Sequence, residues 1–165
     1  MKYHTNNTAD LLEQAKSLIS ADKSQVLSNM SNLSSWIYHQ FDNINWAGFY
    51  LYNGHRLVLA TFCGKVACTK IDWDKGVCGN ALAHNKTLIV PDVHKYPGHI
   101  ACDSASNSEI VIPMYNDKNP IGVLDIDSPI HDRFDTNHQH LFEEIVKTLL
   151  SSSVEHILQL NRLLV

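Results

Sequence analysis

The chain has 165 residues, 44% of them hydrophobic and 18% charged, with a formal net charge of -4 at pH 7. That length suits one domain with a sizeable core, and that composition excludes a disordered chain. A weakly acidic chain without a Lys/Arg run lacks the footprint of a nucleic-acid binder, and no stretch approaches the ~18 uninterrupted apolar residues of a membrane span.

The first residues, MKYHTNNTAD, carry no apolar segment of the signal-peptide kind. The expected location is therefore cytoplasmic, where cysteines stay reduced unless they cycle chemically. A helical segment is expected over about 1–42. Leu11, Leu12, Ala15, Leu18 and Ile19 share one helix face; after Asp22 the spacing restarts with Val26, Leu27, Met30, Leu33, Ile37 and Phe41. WAGFYLY (46–52) reads as an aromatic strand, Asn53-Gly54 as a tight turn and RLVLATF (56–62) as the returning strand. A short helix is expected from Gly76 to about His84, then a strand TLIV (87–90) ended by Pro91. The irregular stretch from Asp92 to Ser108 is long for a compact domain, which points to a working loop, with Gly98 as its hinge. EIVIPMY (109–115) and PIGVLDID (120–127) read as strands joined by a turn at Asn116-Asp117-Lys118-Asn119. Thr136-x-x-Gln139 has the form of a capping box, opening a long amphipathic helix to about residue 160. Helices at both ends around a sheet core of about 46–128 predict an α+β domain, its terminal helices packed on a mainly antiparallel sheet.

Chemistry concentrates in two places. Period-two alternation puts Val123, Asp125 and Asp127 on one strand face, with Leu124 and Ile126 on the other. Glu109 likewise opposes Ile110, Ile112 and Met114. If the two strands pair, Glu109, Asp125 and Asp127 form one acidic cluster, suited to a substrate ammonium or to a proton donor of raised pKa. The plain alternative is a solvated strand face. The second place is the four cysteines. Cys78 falls in the first turn of the Gly76 helix, where the helix dipole favours a thiolate, or else is a small buried hydrophobe. Cys68 follows GKVA, Cys102 lies in the long loop beside Asp103, and Cys63 in the strand TFC reads as packing. A carboxylate at Asp103 raises a neighbouring thiol's pKa. The set matches no zinc-finger or deaminase spacing, so no metal is expected. Trp46 and Tyr50 share a strand face, as core or as the wall of a pocket for a sulfur-bearing ligand.

Taken together, "NWAGFYLY", "GKVACTKI", "KGVCGNALA", "DVHKYPGHIACDSASNSEIVIPM" and "IGVLDIDSP" resemble the free methionine-R-sulfoxide reductases, enzymes built on a single GAF domain. The resemblance runs in order over residues 30–150. It implies a reductase acting on free L-methionine (R)-S-oxide rather than on the residue in a protein. Cys102 would be the nucleophile, Cys68 the main resolving thiol and Cys78 a third family cysteine. Glu109, Asp125 and Asp127 would be the acidic pocket residues, with Glu109 or Asp127 serving in catalysis; Trp46 and Tyr50 would be the pocket aromatics. A Cys102 sulfenic acid would condense with Cys68 to a disulfide recycled by thioredoxin, without cofactor or metal. The family pattern also implies a homodimer. Two positions depart from it: Cys63 stands where a non-cysteine is expected, and Asp74 in "IDWDKGVCG" is expected to alter the turn before Cys78. The alternative reading is a GAF sensor that binds a small ligand without chemistry; a Cys/His metal site and a thiol peroxidase are further ones.

Overall fold

The computed structural model of the chain describes residues 7–100 and 103–164. Among these residues lie the helices α1 (Thr8–Ser17), α2 (Val26–Gln40), α3 (Gly76–His84) and α4 (Thr136–Leu163). The strands are β1 (Trp46–Tyr52), β2 (Arg56–Gly64), β3 (Lys70–Asp72), β4 (Leu88–Val90), β5 (Ser108–Asn116) and β6 (Asn119–Ser128). They form one six-stranded sheet in the order β3-β2-β1-β6-β5-β4, antiparallel throughout. The α+β expectation holds: one antiparallel sheet carries the terminal helices.

Alternation along the central strands decides the layers. Ala47, Phe49 and Leu51 of β1, Ile110, Ile112 and Met114 of β5, and Leu124 and Ile126 of β6 face one side. There they meet Met30, Leu33 and Ile37 of α2 and Phe142, Ile145 and Leu149 of α4. Each large side chain fully buried there contributes about 1.5–3 kcal/mol of transfer free energy. The opposite side carries Trp46, Tyr50, Val111 and Val123, packed on Val77, Cys78, Ala81 and Leu82 of α3. Covering both faces explains why the central strands read as nearly unbroken apolar runs. The terminal helices share one layer; among the described α-helices α3 covers the other, a segregation that the sequence pattern does not disclose.

Local chemistry sets the boundaries. Asn53 Oδ1 accepts from the amides of His55 and Arg56, both at 3.0 Å, and closes the β1–β2 turn. Asn116 pairs with Asn119 across the β5–β6 turn, where Asp117 takes φ 53. α4 corrects the expected cap: its N-cap is Asp135, whose Oδ1 accepts from the amide of His138 at 2.9 Å. His138 takes the place that Gln139 was expected to fill, because its ring reaches back to the N-cap, while Gln139 bonds Glu143 at 2.8 Å. β3 has only three residues and was not expected; it pairs with β2 from Arg56 to Val58. The expected helical reach from residue 1 lies partly outside the described residues.

β1 and β6 approach closely at Gly122. A Cβ there would strike the Tyr50 carbonyl oxygen, with Leu51 Cα at 3.1 Å and Met114 Cε at 3.0 Å. Backbone cannot yield as a side-chain tip can, so Gly122→Ala should destabilise the domain by roughly 1–3 kcal/mol, the usual range for overpacking. Urea unfolding checks this; an unchanged midpoint would count against so tight a junction.

Candidate active site

The β5–β6 register puts Glu109 opposite Asp127 and Val111 opposite Asp125. The three carboxyl groups therefore rise from one face of adjacent strands. One oxygen from each lies within 4.8 Å of the other two. They are not a solvated strand face: Glu109 is 5% and Asp125 7% exposed. β1 flanks them, with Trp46 paired to Asp127 and Gly48 to Asp125. α3 covers them from above, and its Cys78 hydrogen-bonds Asp125 through the side chain. A cavity of about 30 Å³ opens between the acids, the first turn of α3 and the loop before β5. Its lining includes Cys78, His99, Asp103 and Ser106 besides the acids. That volume holds about one or two waters, so an amino acid enters only if the walls part.

Burial and mutual repulsion act on these carboxyls in the same direction. Asp127 is pushed well above the usual range, by burial first and then by Asp125 and Glu109. Glu109 is likewise pushed well up, by burial and then by Asp125, while Asp127 donates to it side chain to side chain. Burial raises Asp125 from 3.8 to about 7, restrained by its hydrogen bonds from Cys78 and the Ile126 amide. All three carboxyls are thus pushed toward the protonated form, so the cluster keeps a proton near neutral pH. Glu109 Oε1 and Asp125 Oδ1 are buried and meet no amide, hydroxyl or cationic donor. Buried acceptors without donors are costly unless a ligand supplies them.

The aromatic residues stand beside the cluster. Trp46 stacks on Tyr50, ring centroids 5.8 Å apart, and on Phe62 at 5.4 Å. Its Nε1 donates to the Lys65 carbonyl at 3.1 Å, and the Tyr50 hydroxyl donates to the Cys68 carbonyl at 3.0 Å. Trp46 and Tyr50 line a second, smaller recess, with Val66 and Ala67, that shares Asp103, Asp125 and Asp127 with the first. Asp125 and Asp127 therefore line both recesses, one walled by Val66 and Ala67 and the other by His99, Ile100 and Ser106.

The cysteines divide. Cys102 lies outside the described residues. Cys68 is disulfide-bonded, and the free thiols among the described residues are Cys63 and Cys78. The expectation of a dipole-stabilised thiolate at Cys78 is overturned: burial, then Asp125, Glu109 and Asp127, push its thiol well up. Cys63 pairs with Ala47, whose side chain faces α2, so it points away from the acids. Asp103 is tied down by the Ala105 amide at 2.9 Å, Asn45 Nδ2 at 3.1 Å and Lys65 Nζ at 3.6 Å. The Ala105 amide, then Asn45 and Lys65, hold its carboxyl below the usual value. Asp74 takes φ 57, accepts from Asn80 Nδ2 at 3.0 Å and stands 3.3 Å from His84 Nε2, so the departure before Cys78 is a turn that Asp tolerates.

Two lining residues, His99 and Ser106, and their neighbour Asn45 have no acid-site role in the sequence pattern. His99, weighed from the sequence only as a ligand of a Cys/His metal site, has a side chain just 16% exposed that faces Glu109. Asn45 and Ser106 join Asp103 in a small network, Asn45 Nδ2 donating to Ser106 Oγ at 3.0 Å. Their only signal was position beside recognised motifs. A prediction follows from Asp125. Its pKa is higher folded than unfolded, so the folded state binds the proton more tightly. That stabilisation is full below about pH 4 and is lost as pH rises toward and past 7. Urea unfolding at about pH 5 and pH 8 should show Asp125→Asn gaining stability over the wild type with rising pH; equal slopes would refute the raised carboxyl.

The GAF domain pattern matches residues 30–150. The chain is 47% identical over 141 residues to GAF domain-containing protein A of Dictyostelium discoideum, spanning 85% of this chain and 88% of that one. It is 44% identical over 141 residues to the free methionine-R-sulfoxide reductase of Escherichia coli, spanning 86% and 85%. Among solved structures it resembles the free methionine-R-sulfoxide reductase of Neisseria meningitidis in complex with its substrate, with a TM-score of 0.83 and 38% identity over 90% of this chain and 91% of that one. Likeness of that breadth, in sequence and in fold, makes the chain a member of the free methionine-R-sulfoxide reductase family, built on a GAF domain.

Proposed function

We propose that this chain reduces free L-methionine (R)-S-oxide to L-methionine, with Cys102 as the nucleophile and Cys68 as the resolving thiol. The observation that carries this reading is the buried carboxyl cluster. It offers two acceptors without donors and a retained proton beside one cavity. An ammonium supplies the missing donors at Glu109 and Asp125, and an ionised carboxyl there balances its charge. Asp127 is the proton donor. Trp46 and Tyr50 form a flat apolar wall for the methylthio end. A pocket that encloses the ammonium leaves no path for a peptide chain, which restricts the substrate to the free amino acid.

The chemistry balances in three steps. The Cys102 thiolate attacks the sulfoxide sulfur while the carboxyl donates its proton to the sulfoxide oxygen. The oxygen leaves with Cys102 as a sulfenic acid, and methionine sulfur takes up the electron pair. The Cys68 thiol then displaces water and forms the Cys102–Cys68 disulfide. Support for this pairing is the disulfide-bonded state of Cys68. A thioredoxin dithiol returns two electrons and two protons by exchange. Cys78 stays a thiol throughout: its hydrogen bond restrains Asp125, so it tunes the acid that receives the ammonium. The enzyme would work in the cytoplasm as a homodimer; among the described residues no helix is long and apolar enough to cross a membrane.

Turnover with thioredoxin should consume the R epimer of free methionine sulfoxide and spare both the S epimer and the peptide-bound form. Activity confined to the S epimer would overturn the assignment. Cys102→Ser should abolish methionine release. Cys68→Ser should release about one equivalent per chain and then stall, since the sulfenic acid has lost its partner; sustained thioredoxin-driven turnover in that variant would remove Cys68 from the cycle.

A further inference from the structure

Resting on that reading, we propose that His99 carries protons from solvent to the buried carboxyl cluster, acting through Glu109 as a positioning and relay residue. Its Nε2 stands 3.9 Å from Glu109 Oε1, the oxygen that meets no amide, hydroxyl or cationic donor. That separation is just beyond a hydrogen bond, so a small ring movement or one water closes it. The two side chains are 16% and 7% exposed, so the imidazole touches both the cavity and solvent while the carboxyl touches only the cavity. The ring is set in place from the left-handed turn at Gly98, φ 73, with the His99 amide donating to the Tyr96 carbonyl at 3.1 Å.

The cluster needs such a route. Each turnover moves one proton from it to the sulfoxide oxygen, leaving an extra negative charge among crowded carboxylates in a low-dielectric site. Other titratable groups around the cavity do not replace it. Asp103, from the same loop, is held ionised by its partners. Cys78, from α3, is a buried thiol pushed well up. Asp125 and Asp127, from β6, belong to the cluster itself. His94, from the turn at Val93–Lys95, bears on the imidazole and lowers it further after burial, so His99 rests neutral and gives up an acquired proton readily. Glu109 passes that proton to Asp127, to which it is already linked side chain to side chain.

The test is multiple-turnover methionine release from the full chain with free methionine (R)-S-oxide and excess reduced thioredoxin, across about pH 5.5 to 8.5, because a first turnover spends only the proton the cluster already holds. His99→Gln should slow release by about ten- to hundredfold at the alkaline end, a typical loss for a proton-transfer group, and by progressively less toward acid. The concentration for half-maximal rate should change less than about twofold, since binding groups are untouched. For His99→Ala, added imidazole should restore part of the alkaline rate. A wild type that releases no methionine would overturn the functional reading and the relay with it. A working wild type matched by His99→Gln at every pH would overturn the relay alone. A loss equal at all pH values and unmoved by imidazole would do the same, since that is what a merely structural residue gives.

Discussion

Three carboxyl groups that cannot all ionise together are the constraint on which this molecule's chemistry rests. Glu109, Asp125 and Asp127 lie within 4.8 Å of one another on a face that α3 closes over. Water that would have screened them is mostly excluded. The cluster therefore holds back a proton near neutral pH and leaves acceptors facing a cavity. Both properties are costs to an empty protein and assets to one awaiting a cation with a leaving oxygen. The cost is tolerable because the strands below are fixed on both faces.

That fixity has a source. β1, β5 and β6 are central strands, each paired on both edges. Helices α1, α2 and α4 form a layer on one side, so the other side is free to bury polar groups without losing the core. The acids come from the most rigid elements and the reactive loops from the least regular ones. Strands paired on both edges hold the charge geometry still.

Much of this was legible in the residues. Alternation in VLDID and EIVIP assigned each acid to the face it occupies, because a strand's period leaves no other choice. The helix from Gly76 to His84 and the strand from Trp46 to Tyr52 fell where periodicity and turn residues put them. What stayed hidden depends on contacts distant in sequence. β3 is too short for a pattern. His99 looks like any loop histidine until Glu109 is brought to it. Cys78 invited a thiolate reading from its helix position, but burial beside the acids of two strands outweighs one helix end. The cap of α4 moved by one residue because a histidine ring did the work of a glutamine amide. Cys102, which the motif singles out most clearly, lies outside the described residues, and its role rests on the resemblance and on the chemistry around it.

Trp46 carries one more consequence. Its indole stacks on both Tyr50 and Phe62, and its nitrogen is fastened to the Lys65 carbonyl. A plate held at three points cannot reshape itself around a bulkier guest. Any descendant of this protein that comes to accept a different amino acid should therefore keep the plate and vary the two overhanging segments, where a changed residue disturbs little else.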